Sequence, residues 1–309
     1  MSETLNTNIE PMKGNNAAAE SGGGQFTIAD LKSQHVALGL IVVALVAFTI
    51  MYKSVLVMWW VTWWGADSRY SHGILVPFIS GFAVYMDRER LLRIPVKPNF
   101  ALGLLVLIPV TLSLLLFVGE STSMQGVMFP LFVLGAVILI LGTQMTKALL
   151  FPILFLSFMC PVPGFLLNSI EVQIQIWSTQ IATLILALMQ YDISRDGTTI
   201  RMPNIVVTVG TACSGFRMLI SLFAFSTFFA YMKEGKPLGR VGTVLAALPL
   251  SLVANSLRVT LIALVGEIFN ETAMHKFHDY SGYIMLVVSF VALEFISRLM
   301  GCRKFRSMQ

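Results

Sequence analysis

The sequence predicts an all-α polytopic membrane protein: about eight transmembrane helices, a short periplasmic β-hairpin or loop region, and an interfacial helix. Three observations predict it. Of the 309 residues 56% are apolar and only 12% are charged, where a soluble globular chain carries about 25% charged and about 45–50% apolar residues. The mean hydropathy is +0.78. The apolar residues are also gathered into separate runs, near 36–52, 72–87, 100–118, 126–143, 147–163, 214–232, 241–265 and 280–300. Such a composition excludes an ordinary soluble domain, a disordered chain and a fibrous repeat.

Taken in order, residues 1–35 are polar and rich in Gly, Asn and Glu, and read as a disordered cytoplasmic tail. No cleavable signal peptide is expected, because the first apolar run opens only near Val36 and leads straight into a membrane domain covering 36–301. A span needs about 20 residues, so the 72–87 run is short and the 147–163 run marginal. Residues 53–71 read as an outer loop in which Trp59, Trp60, Trp63 and Trp64 form an aromatic anchor belt. Within 164–212, the stretch Leu166–Gln190 alternates apolar and polar residues and reads as an interfacial helix or a re-entrant hairpin, in preference to a ninth span. Tyr191–Val209, with Asp196-Gly197 between short β-prone runs, reads as a small hairpin. Residues 302–309 form a basic tail.

The net charge of +5 reads as a topology signal, since the basic residues sit between apolar runs. Arg88, Arg90, Arg93 and Lys97 follow the second span and Lys147 the fourth. Lys233, Lys236 and Arg240 follow the sixth, and Arg303, Lys304 and Arg306 the eighth. They outnumber Arg69, Arg195, Arg201 and Lys276 of the opposite loops, which puts both termini in the cytoplasm and the chain in the inner membrane of a bacterium. Cys160, Cys213 and Cys302 are too few for a disulfide framework. Cys160 reads as packing, with pairing to Cys213 in an oxidising periplasm as the alternative, and Cys302 reads as incidental. The four His are scattered and no HExxH occurs, so no metal or other cofactor is called for.

Three polar residues stand out from their surroundings. Cys213 opens the sixth span, Arg258 lies inside the seventh, and His278 opens the eighth. At 1.5 Å per residue, Cys213 to Lys233 is roughly 30 Å, Arg240 to Arg258 roughly 27 Å, and His278 to Arg298 roughly 30 Å. The hydrocarbon core is about 30 Å thick, so all three come out at the outer boundary and are able to share a site. A thiol at a helix N-terminus beside a cation is activated as thiolate, and Arg217, one turn on from Cys213, supplies the cation. His278 suits a general acid–base. Arg258, always charged, suits an oxyanion, or alternatively snorkels to the headgroups. Asn255, one turn before Arg258, is placed to orient it or the substrate. Asp279 adjoins His278 and is not needed to orient it. Ser214 is the weaker rival nucleophile.

These residues sit in runs with a resemblance. Thr211-Ala212-Cys213-Ser214-Gly215-Phe216-Arg217, Asn255-Ser256-Leu257-Arg258 and Phe277-His278-Asp279-Tyr280-Ser281-Gly282 resemble the Cys, Arg and His signatures of the exosortase/archaeosortase family. Asp67-Ser68-Arg69-Tyr70-Ser71-His72-Gly73 resembles its N-terminal signature. Phe216 is a mild departure from a smaller aliphatic residue. The resemblance covers about 36–300 and implies a membrane-embedded cysteine transpeptidase with Cys213, Arg258 and His278 as its catalytic set. It implies partners that are secreted proteins with a PEP-CTERM-type C-terminal signal, namely a short motif, one transmembrane helix and a basic tail. It also implies an acceptor molecule, a setting among exopolysaccharide functions, and no nucleic acid. Asp67, Arg69, Tyr70 and His72 read either as an interfacial polar cluster or as substrate-binding residues. The rival reading of the whole chain is a non-enzymatic component of polysaccharide export or transport.

Overall fold

The computed structural model describes residues 48–49, 52–65, 69–116, 122–210 and 215–305. Cys213, Ser214, Asp67 and the expected tail 1–35 lie outside them. The larger of the two compact units begins at Tyr52.

That unit is helical, as expected. Helix α1 (residues 52–64) is followed by a 3-10 turn, Ser71–Leu75, that runs into α2 (Val76–Met86) and a short α3 (Arg88–Leu92). Next come α4 (Phe100–Leu116), α5 (Thr122–Val127), α6 (Phe129–Leu141), α7 (Thr143–Ala148) and α8 (Leu150–Phe155). The long helices are α9 (Gly164–Leu188), α11 (Pro237–Ile268) and α12 (Glu271–Leu299), with α10 (Phe216–Met232) before the last two. Among the described residues, the run Ser123–Leu141, α11 and α12 are long and apolar enough to cross a bilayer. Ser71–Met86, Phe100–Leu116, Leu150–Met159 and Phe216–Met232 are shorter apolar helices. The eight expected runs therefore do not all appear as full-length spans.

Local chemistry explains several of these boundaries. The marginal 147–163 run is broken: Gly142 with φ +84° stops α6, and a 3-10 turn at Leu156–Met159 ends α8. Gly103 lies against Leu139 and Gly135 against Leu107, so α4 and α6 close on each other through small residues, the usual device between helices in lipid. The connection between the apolar runs 241–265 and 280–300 is only Phe269–Asn270, because the Asn270 side chain accepts the Ala273 N–H at 2.8 Å and starts α12 early.

Three expectations need correction. Residues 52–64 form a helix where a loop was expected, and only half of the tryptophan belt faces outward. Trp60 and Trp64 are exposed, but Trp59 is buried, stacked on Trp63 at 5.8 Å and edge-on to Phe129. Trp63 Nε1 donates to the Met159 carbonyl at 3.2 Å. Second, α9 is one continuous 25-residue helix, which removes the re-entrant hairpin. Its buried face is Glu171, Ile174, Gln175, Ser178, Thr179, Ala182 and Leu186, while Phe165, Ile170, Val172, Leu184 and Leu188 point outward. The apparent alternation in its sequence is a helical stripe sampled over too few residues.

Third, Cys302 is fully buried against Gly235 and Gly239 and is a packing residue. Beside it, β4 (Lys233–Glu234) pairs with β5 (Lys304–Phe305). The Lys233 ammonium, also fully buried, pairs with the Glu294 carboxylate and donates to Ser297 Oγ at 3.1 Å.

At the other end of α10–α12, the expected hairpin is a three-stranded antiparallel meander: β1 (Ser194–Asp196), β2 (Thr199–Arg201) and β3 (Val206–Thr208). Gly197, with φ +59°, makes the first turn. The inner face of the sheet carries Ile200 and Val207, continued by Met202, Ile205 and Val209. It packs on Val259, Ile262 and Ala263 of α11 and Met274 of α12. The sheet therefore caps the end of the helices where Arg258 and His278 lie.

Candidate functional site

α11 and α12 run antiparallel side by side, and the level at which they bring Arg258 and His278 together defines the site. The Arg258 guanidinium is buried between them, which removes the snorkelling alternative. Its Nε donates to Ser281 Oγ at 3.0 Å and its Nη2 to the His278 carbonyl oxygen at 3.2 Å. Ser281 Oγ in turn donates to the same carbonyl at 3.1 Å. A Cβ on Gly282 would meet the guanidinium at 3.5 Å, ordinary van der Waals contact. Ser281 was not singled out from the sequence, although it stands inside the His signature. A fork of fixed donors meets a hydroxyl and a carbonyl, and that geometry orients the cation.

The His278 imidazole points elsewhere. It lines a cavity of about 340 Å³ together with β3, Val259 and Ile262 of α11, and His275 of α12. Its Nδ1 stands 3.3 Å from Asp279 Oδ1, so the neighbouring carboxylate does reach the ring. Asp279 is itself exposed, with 75% of its side chain accessible, and holds the ring only loosely.

Asn255, one turn before Arg258, is fully buried and donates from Nδ2 to Ser178 Oγ of α9 at 3.0 Å. Gly215, in the left-handed region at φ +76°, packs on that side chain: a Cβ there would stand 2.6 Å from Asn255 Cγ. The residue just past Ser214 is thus pinned to the helix that carries Arg258. The same residue is the N-cap of α10, which begins at Phe216. Arg217 is half-buried in the first turn of α10.

Among the described residues of the N-terminal signature, the Tyr70 and His72 rings lie 6.1 Å apart, and Arg69, Tyr70 and His72 each also reach a partner on another segment. Arg69 pairs with Glu171 of α9 at 2.8 Å, with the carboxylate side chain only 3% accessible. The Tyr70 hydroxyl accepts the Val162 N–H at 3.1 Å, and burial pushes its phenol above the ordinary value. The buried His72 has Nδ1 at 3.2 Å from Ser221 Oγ of α10. Glu171 and Ser178 were missed because α9 was read as lying on the membrane surface. Cys160 is buried with its thiol directed at the Leu156 carbonyl at 3.5 Å, as packing requires.

No group of three or more His, Cys, Asp or Glu able to hold a metal occurs among the described residues. Compared with known proteins, the chain matches no curated protein and no solved structure. It does match the family model described as transmembrane exosortase, over residues 59–295. That range takes in the Arg258 and His278 signatures and most of the membrane domain, so the chain belongs to the transmembrane exosortase family.

Proposed function

We propose that this chain is a membrane-embedded cysteine transpeptidase that removes the C-terminal sorting signal of secreted proteins. The observation that carries the reading is the Arg258 guanidinium, held by Ser281 and by the main chain of His278, beside a helix face on which Gly215 is packed.

In the proposed sequence the Cys213 thiolate attacks the scissile carbonyl carbon. Arg258 stabilises the oxyanion that develops on the carbonyl oxygen. Collapse breaks the C–N bond, and the His278 imidazolium gives its proton to the departing amine. The Cys213 thioester is then resolved by an acceptor nucleophile, whose proton returns to His278, or by water. Arg217 supports the thiolate, Asn255 the position of Arg258, and Asp279 the imidazole. Arg69, Tyr70 and His72 fix the elements around the site.

The substrate is a secreted protein ending in a PEP-CTERM-type signal: a short motif, one transmembrane helix and a basic tail. Its cleavage motif then lies just outside its own span, at the outer membrane boundary proposed for Arg258 and His278. Both termini face the cytoplasm, in the inner membrane. The test is a secreted reporter carrying such a signal. Cells with the native chain are expected to release it and to show a thioester-linked fragment on Cys213 by mass spectrometry. Normal trimming by a Cys213→Ala chain that still inserts would end the proposal.

A further inference from the structure

The sheet beside the site has an open edge. Strand order is β1-β2-β3, so among the described residues β3 is paired on one side only. Met202 N–H donates to the Ile205 carbonyl and Val209 N–H to that of Thr198, both at 2.9 Å. Bonded and non-bonded pairs alternate along an antiparallel ladder. In the register that sets Val207 opposite Ile200, Val207 therefore exchanges its main-chain bonds with β2. Val206 and Thr208 turn their N–H and C=O groups away from the sheet. Both residues are exposed, and both line the cavity that His278 lines.

We infer that β3 is the docking strand for the substrate: an extended segment of the sorting signal adds to its free edge, bonded to the main chain of Val206 and Thr208, and so enters the cavity at His278. This rests on the transpeptidase reading. A row of outward N–H and C=O groups with a two-residue repeat is matched by an extended polypeptide, the chemistry of the substrate the site would cut. Alternate side chains of an added strand face opposite ways, and the cavity lies on one side of the edge. Its floor (Val207, Val209, Val259, Ile262 and Met274) is apolar, with Glu271, His275 and His278 of α12 along one side. Every second residue of the docked segment therefore meets an apolar pocket, while those between face outward. A second copy of the chain pairing edge to edge would fill β3 without bringing a scissile bond to His278.

Thr208→Pro deletes the outward N–H while the bonds of Val207 to β2 remain, and proline is tolerated on an edge strand in that orientation. With the secreted reporter as probe, it is expected to raise KM about three- to tenfold, the loss of one hydrogen bond, with kcat little changed. Thr199→Val, which removes the hydroxyl contact between Thr199 and Thr208 at 3.1 Å, is expected to leave KM alone. If Thr208→Pro fails to accumulate in the membrane, synthetic peptides of the motif region, N-methylated one residue at a time, put the question to the native chain. KM then rises at alternate positions. An unchanged KM for Thr208→Pro, or N-methyl effects without a two-residue repeat, overturns the edge docking while Cys213-dependent cleavage stands. A native chain that leaves the reporter uncut overturns the transpeptidase reading and the docking with it.

Discussion

Gly215 sits so close to the side chain of Asn255 that a Cβ on it would come within 2.6 Å of Asn255 Cγ. That contact ties the start of α10 to the face of α11 on which Arg258 follows one turn later. With φ at +76° the position is doubly closed to other residues, by space and by backbone strain.

Gly215→Ala is expected to push α10 away from Asn255 and to lower turnover by about 100-fold, the order of loss for a misplacement near 1 Å. Reporter cleavage checks it, alongside immunoblotting of membranes to confirm insertion. Full activity in the alanine chain would show that the packing sets nothing at the reacting centre.

Arg258→Lys keeps the charge and loses the fork, since an ammonium does not reproduce the paired contacts to Ser281 Oγ and the His278 carbonyl. A loss of about 10²–10³-fold in kcat is expected, as for removal of an oxyanion donor. Ser281→Ala, which frees only Nε, is expected to cost less. Equal rates for Lys and Arg chains would show that charge alone suffices at this position.

Arg69 and Glu171 are unequal partners, 35% and 3% accessible. Arg69→Ala strands a buried carboxylate and is expected to destabilise the protein by about 3 kcal/mol. Glu171→Gln, which leaves a neutral group facing a cation that still reaches water, is expected to cost less. Thermal unfolding of detergent-purified variants gives the order directly.

Tyr70 carries a pH dependence of known sign. Its phenol is raised above 10.0 by burial, so the folded state holds the proton more tightly than the unfolded one. The corresponding stability is present below pH 10 and is lost as pH rises through the folded value. Tyr70→Phe is expected to lose about 1 kcal/mol at neutral pH, the bond from the Val162 N–H. Its stability should fall less steeply at alkaline pH, which unfolding curves across that range would show.

The regular elements were the legible ones. Similar residue counts from the basic ends, eighteen to Arg258 and twenty to His278, put the two level because α11 and α12 are continuous helices with one rise per residue, laid antiparallel. The sheet was legible too, since Asp196-Gly197 has few uses other than a turn. Residues 52–64 were misread because four tryptophans resemble an interface belt whether or not two of them turn inward. The role of α9 was hidden for a different reason. Glu171 and Ser178 are polar, and only their contacts to Arg69 and Asn255 on other segments show that they turn inward. Ser281 and Gly215 stood within the signature runs, but their function is a distance to another helix, which spacing along one chain does not contain.

The β4–β5 pair, with Cys302 and Lys233 sealed beneath it, acts as a rivet. It fastens the end of the chain to the connection between α10 and α11, at the pole far from the sheet. At the opposite pole the two-residue connection Phe269–Asn270 and the sheet packed on Val259, Ile262 and Met274 hold the same helices, so α11 and α12 are clasped at both ends and the level of Arg258 between them is fixed.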